Sequence, residues 1–511
     1  MQQPFCFSRS FAENSAARTC PRRRSCVKIQ TERRACARPR KKRKLVVIVL
    51  QTGLRRTDTD MTRGSVLGQL VAFSVPLLIG NIFQQLYNTV DSVVVGNFVG
   101  KEALAAVGST GSICNMLVGL CAGLATGAGV VISQNYGAHD YKKLHDSVHT
   151  SIVLTFLMSI VATIIGILIV DPMLRFMSTP EDVMPQAHTY LTIYFAGVTG
   201  LLIYNMGSGI LRAVGDSRRP LYFLIFSACC NIVLDLLFVV AFHWGVAGVA
   251  YATIISQCLS AALTLFSLSH TDAPYGIRWA HLKLDFAMLK RILAIGLPSG
   301  VQQAVTSFSN VFVQSYINYF GSACMAGWSS YNKLDSFVLI PMQSIALANT
   351  TFVGQNYGAD NLERARKGNR QALIMSIVIS VALSALAMVL ARPLISLFTS
   401  EPDVQDFGVT FVLRITPFYA LCCFNQIYSG ALRGIGNATT PTIIMLCSFV
   451  LFRQIYLFVN KTYFGNSFLG MSLAYPMGWI VCSILIVICY RCSAICHPEK
   501  REKLKKQNAE G

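Results

Sequence analysis

Three carboxylates stand inside long apolar stretches of this chain: Asp91, Asp235 and Asp335. A charge at hydrocarbon depth costs about 3 kcal/mol or more unless something relieves it, so such groups are rare and functional. Asp91 and Asp235 share the first half of the chain, and Asn231 lies one helical turn before Asp235 on the same face. Two carboxylates brought close together cannot both stay ionised cheaply. The chemistry open to them is the reversible uptake of a proton or a small cation.

Two polar stripes accompany the acids. Asn81, Gln84, Gln85, Asn88 and Asp91 fall on one face of a helix, and Gln303, Thr306, Asn310 and Gln314 nearly repeat the pattern. Polar stripes at membrane depth face protein or water, so both stripes must point into their own half of the molecule or into a cleft between halves. Helix packing through amide hydrogen bonds is the plain alternative.

The elements that position these residues are membrane spans. Of 511 residues, 53% are hydrophobic and 13% charged, about half the charge of a soluble domain, and the mean hydropathy is +0.49. Runs of about 20 apolar residues cross a bilayer. They predict an all-α polytopic protein with about twelve spans, near 67–95, 103–133, 148–170, 187–209, 221–242, 247–268, 292–317, 323–353, 371–391, 407–431, 441–460 and 467–490. Basic residues mark one side: Lys142, Arg218, Lys283, Arg364, Arg433 and their neighbours make 14, against Lys101, Arg175, Arg392 and Lys461, which make 4. By the positive-inside rule the basic side and both termini are cytoplasmic, in a multi-pass protein of the cell (inner) membrane.

An internal repeat divides the chain. Gln134-Asn135-Tyr136-Gly137-Ala138 recurs as Gln355-Asn356-Tyr357-Gly358-Ala359, an offset of 221 (134 to 355). Ser208-Gly209-Ile210-Leu211-Arg212 recurs in pattern as Ser429-Gly430-Ala431-Leu432-Arg433, again at 221 (208 to 429). Two six-span lobes of the same orientation follow, with a cleft between them. The boundaries read 61–270 for the first lobe, 271–291 for a linker, 292–490 for the second lobe and 491–511 for a tail. The pentads read as helix stops whose glycine permits a left-handed end, and the Leu-Arg-x-x-Gly motifs as helix ends too.

Residues 1–60 hold 16 Lys/Arg and 4 Asp/Glu. They read as a basic disordered tail or a mis-called extension before Met61, not as a nucleic-acid arm. Most of the 17 cysteines lie in apolar runs and read as packing residues. Cys489, Cys492, Cys496 and His497 could bind zinc, but free or lipidated thiols are the preferred reading. No phosphate loop, dinucleotide fingerprint or protease-like constellation is present, so neither an enzyme nor an ATPase is expected, and no cofactor.

The paired Gln-Asn-Tyr-Gly-Ala and Leu-Arg-x-x-Gly motifs, with Gln84-Gln85-Leu86-Tyr87-Asn88-Thr89-Val90-Asp91 in the first span, resemble the multidrug and toxic compound extrusion family over residues 61–495. The resemblance implies an antiporter that exports organic, cationic and amphipathic compounds in exchange for H⁺ or Na⁺. It implies an ion site at Asp91, Asn231 and Asp235, with Thr253 as a weaker member. Small-molecule substrates and membrane lipids are the expected partners, and a monomer the expected state. Substrate-cleft candidates are Gln84, Asn88, Gln303, Thr306, Asn310, Asp335 and Arg453.

The repeat acts as a control. Asp91 maps to Val313 and Asp235 to Tyr456, so the second lobe lacks both acids. Its own charges are Lys333, Asp335, Arg414 and Arg453, which suggest either a buried Asp335–Arg453 salt bridge or a charged wall of the cleft. A cationic wall would suit the alternative function, a flippase for lipid-linked oligosaccharides, whose substrates carry phosphate.

Overall fold

A computed structural model of the chain describes residues 59–499 apart from Ser178. The readings made of the basic tail before residue 59 lie outside the described residues. Every regular element there is helical, and no strand occurs among them.

The first lobe runs through span one (Val66–Phe98), two (Lys101–Gly137), three (Tyr141–Phe176), four (Met184–Ala196 with Val198–Ala213), five (Arg218–Asp235, continued by a π-helical segment, Leu236–Ala241) and six (Gly245–Ser269). The second repeats the plan with span seven (Phe286–Asn318), eight (Ser322–Gly358), nine (Leu362–Val389), ten (Pro402–Ile415 with Tyr419–Gly434), eleven (Thr439–Leu446, a π-helical Cys447–Phe452, then Arg453–Tyr463) and twelve (Ala474–Arg491). Among the described residues ten helices are long and apolar enough to cross a membrane, and span four adds one more as a pair bent by 49°. Span seven is as long but less apolar: its second turn carries Lys290 and Arg291, and Gln302, Gln303, Asn310 and Gln314 follow.

Local chemistry explains the ends at the basic side. Asp140 and Asn361, equivalent positions, cap spans three and nine by accepting from the backbone N–H of Lys143 and Arg364, each at 3.1 Å. Asp285 does the same for span seven, accepting from Met288 N at 2.9 Å. These caps let spans three and nine start earlier than their hydropathy indicated, so their first turns carry the basic residues. The left-handed residues that stop spans two and eight are His139 (φ 54°) and Asp360 (φ 64°). The pentad glycines Gly137 and Gly358 remain helical, which corrects their reading as left-handed stops.

Side chains that no protein covers are apolar over much of the outer surface. Leu168 in span three is 71% exposed and Val389 in span nine 80%, as lipid-facing positions require. Buried apolar clusters that draw on both lobes lie toward the basic end. One joins Ile132 and Ile210 to Ile292 and Ala438, and another joins Leu70 and Phe73 to Ile345 and Phe352. Toward the opposite end each lobe keeps its own core. Spans two and seven meet backbone to backbone: a Cβ on Gly123 would lie 2.2 Å from Gly300 N. Small residues allow such approach between membrane helices.

Candidate functional site

Asp91 reaches the interior of the first lobe from the outer part of span one. Asp235 closes the regular part of span five, where the helix widens into its π-helical segment. Such wide turns re-aim side chains and are frequent at functional sites. The two carboxyls are neighbours in the interior of the first lobe. Asp235 is fully buried and Asn231 is 1% exposed. Both Asp235 oxygens, Asp91 Oδ1 and both polar atoms of Asn231 are buried without a hydrogen-bond partner. Among the described residues no basic group lies within 4 Å of either acid.

A cavity of about 250 Å³, lined by both apolar and polar side chains, carries Asn231 and Thr253 on its wall. Span one contributes Asn81, Gln84 and Tyr87, and span six adds Gln257. Thr253 Oγ1 donates to Val249 O at 3.0 Å, which leaves its oxygen free to accept. Tyr87, on the cavity wall, lies one helical turn before Asp91, and Tyr190 of span four packs against the cluster of Val94 and Val95. The sequence reading missed these tyrosines and Gln257; nothing in spacing marks them, because they come from three different spans. Buried oxygens without donors are costly unless paired. A set of carboxylate and amide oxygens with no competing cation suits a proton shared between the acids, or a hard monovalent cation.

The second lobe is organised differently. Arg453 is 3% exposed and follows directly on the π-helical segment of span eleven. Its Nη2 donates to Ser309 Oγ at 2.8 Å and to Asn310 Oδ1 at 2.9 Å, and the guanidinium stacks 4.7 Å above the Tyr475 ring. Asp335 instead accepts from the hydroxyls of Tyr331, at 3.2 Å, and Tyr419. Among the described residues no carboxylate comes within 4 Å of Arg453, so the expected salt bridge is not formed. Lys333 points elsewhere, with its ammonium 5.4 Å from the Phe398 ring. Arg453, Asp335 and Lys333 are therefore not one group.

The remaining candidates divide between the lobes. Gln84 shares the first-lobe cavity with Asn231, and Asn88 lies one turn further out on an exposed face of span one. Gln303 abuts span two, within 3.1 Å of where a Cβ on Gly119 would stand. Asn310 lies on the same face two turns outward and holds Arg453. Thr306 Oγ1 is buried without a partner. The cysteines near the end of span twelve, Cys489, Cys492 and Cys496, are unbridged, and among the described residues no group of three metal-binding side chains forms.

Two repeated bundles of membrane-spanning helices, one of them enclosing a buried carboxylate pair, define a membrane transporter. The chain belongs to the MatE family, whose model matches residues 76–237 and 298–459, the two repeats. It is 31% identical to the probable multidrug resistance protein YpnP of Bacillus subtilis (strain 168) over 437 residues, covering 84% of this chain and 96% of that one. It is 26% identical to the probable multidrug resistance protein NorM of Thermotoga maritima, covering 79% and 87%. Its fold matches a structure described as the outward-facing conformation of a multidrug resistance MATE family transporter, with a TM-score of 0.81, 26% identity, and coverage of 85% of this chain and 97% of that one.

Proposed function

We propose that this protein is a secondary active antiporter that exports organic, amphipathic and typically cationic compounds across the cell membrane in exchange for H⁺ or Na⁺. The observation that carries the reading is the first-lobe set of buried polar groups, Asp91, Asn231 and Asp235, in which Asp91 Oδ1 and both Asp235 oxygens have no hydrogen-bond partner among the described residues. Such a set has one inexpensive state with a cation or proton bound and one costly state without it. Ion entry from outside neutralises the pair, the first-lobe helices repack, and substrate is released outward. Ion discharge to the cytoplasm resets the site for the next substrate. The names of the multidrug relatives support the substrate class, and the basic loops support cytoplasmic termini. The protein works as a monomer among lipids, without catalysis or cofactor.

One observation favours the second reading, a lipid-linked oligosaccharide flippase. Arg453 is a buried cation with no acid beside it, and a phosphate group would satisfy it. The deciding experiment is dye efflux from vesicles holding the purified protein, with proton and sodium gradients imposed separately. Efflux driven by one gradient supports the antiporter. Absence of gradient-driven efflux together with scrambling of a phosphate-bearing lipid probe favours the flippase.

A further inference from the structure

The two pentad glutamines are not spent on ending their own helices. Gln134 Nε2 donates to Gly434 O at 2.8 Å, and Gln355 Nε2 donates to Ala213 O at 2.9 Å. Both acceptors lie in the last turns of spans ten and four, where carbonyls have no partner within the helix. Each bond crosses from one lobe to the other. The acceptor side of each amide is used in the same way: Arg291 Nη2 donates to Gln134 Oε1 at 3.1 Å, and Met61 N donates to Gln355 Oε1 at 2.9 Å. Each glutamine is thus gripped at both ends by the opposite lobe. The pentad glycines permit the approach. A Cβ on Gly137 would lie 1.9 Å from Gln355 O, and one on Gly358 would lie 1.9 Å from Gln134 O. Gln355 is fully buried and Gln134 is 8% exposed.

We propose that Gln134 and Gln355 form a reciprocal latch that closes the cytoplasmic end of the cleft. They are positioning residues for the transport cycle and touch neither ion nor substrate. The reading rests on the two-lobe motion of the proposed antiporter and adds what holds one of its states. Buried amides bonded on both sides resist partial sliding, because a small displacement would strand donors and acceptors in a dry contact. A full opening admits water, which satisfies them again. The latch therefore separates two states, closed and open, with an unfavourable stretch between. Asn135 lies in the same motif but bonds within its own lobe, to Lys143 O at 3.2 Å, so it is no part of the latch.

The test uses the full-length protein with Thr351→Cys as reporter, in sealed inside-out membrane vesicles for labelling and purified for melting. Thr351 lines a small cavity directly behind the latch, beside Gly129 and Ser133. A charged maleimide is supplied from the cytoplasmic side, and modification of the reporter peptide is timed by mass spectrometry. Gln134→Ala with Gln355→Ala is expected to raise the labelling rate about tenfold by shifting the population toward the open state. Each single change is expected to give part of that rise, and Asn135→Ala none. An unchanged rate in a double variant that still melts as the parent does overturns the proposal. If the double variant does not fold, Gln355→Glu decides. It keeps the acceptor for Met61 N–H but sets an oxygen against Ala213 O, so an unchanged rate there overturns the proposal as well. Labelling needs no gradient and no substrate, so failure of dye export would remove the antiporter reading while leaving the latch result legible.

Discussion

Arg453 and Asp335 belong to the same lobe but are held apart by an aromatic layer. Tyr331, bonded to Asp335, stacks against Trp328 with centroids 5.1 Å apart, and Trp328 lies 5.4 Å from Tyr475, the ring beneath Arg453. Each charge has its own neutral partners, hydroxyls for the acid and hydroxyl, amide and ring for the base. Exchanging the two charges, Asp335→Arg with Arg453→Asp, should therefore not rescue the expression lost in either single reversal. A double variant restored to parental expression and melting temperature would reinstate the salt bridge.

Removing the partners of Asp335 and removing the Lys333 charge should have unequal effects. Tyr331→Phe and Tyr419→Phe each remove a hydrogen bond to Asp335, a loss of about 1.5–3 kcal/mol for a bond to a charged group. Thermal unfolding in detergent should show both as destabilised and Lys333→Ala as nearly silent. Equal loss in all three would contradict the geometry of the aromatic layer.

Asp91→Asn and Asp235→Asn should each abolish gradient-driven export while leaving the protein folded. An amide keeps the size of the side chain but cannot gain and lose a proton at neutral pH, and it brings no negative charge to a cation. The repeat-equivalent changes, Val313→Ala and Tyr456→Phe, should leave export near the parental rate. Tyr456 Oη donates to Gly470 O at 3.0 Å, so its loss should reduce stability by about 1 kcal/mol and nothing more. Parental export in both Asp→Asn variants would reduce the carboxylates to packing residues.

Asn231 separates the two coupling ions. Its buried amide has no protein partner, and an amide oxygen can bind Na⁺ but does not carry a proton. With sodium coupling, Asn231→Val should raise the sodium concentration for half-maximal export about tenfold, the loss of one strong polar contact. With proton coupling, the sodium dependence is absent and the change shifts the pH profile of export instead. Export kinetics against sodium at fixed pH, and against pH without sodium, read both.

The seam between spans two and seven should tolerate almost nothing at its centre. Gly123→Leu drives a side chain into the Gly300 backbone, 2.2 Å from its first carbon, and should lower stability by about 1–3 kcal/mol or force the lobes apart. Gly119→Ala meets Gln303 Cβ at 3.1 Å, a tight contact but not a backbone overlap, and should cost less than Gly123→Leu. A melting series in detergent distinguishes them, and equal melting temperatures would mean that the seam is looser than drawn.

Hydropathy and the 221-residue repeat by themselves determined the helical class, the two repeated lobes and the acid asymmetry between them. Each of these is a local or periodic property: a span is a run of side chains, and a repeat is a spacing. Asn231 and Asp235 also share a face by helical spacing alone. The partners of the polar groups were beyond that reach. Which neighbour Arg453 meets depends on how spans seven, eleven and twelve rotate and how a π-helical segment turns the helix before it. The pentads show the same limit: their sequence marks a helix end, which the structure bears out at His139 and Asp360. Only the packing of two lobes shows that Gln134 and Gln355 reach across to each other's half. Contacts between residues more than a hundred positions apart are decided by shape and burial over whole helices, and no short stretch of sequence contains that information.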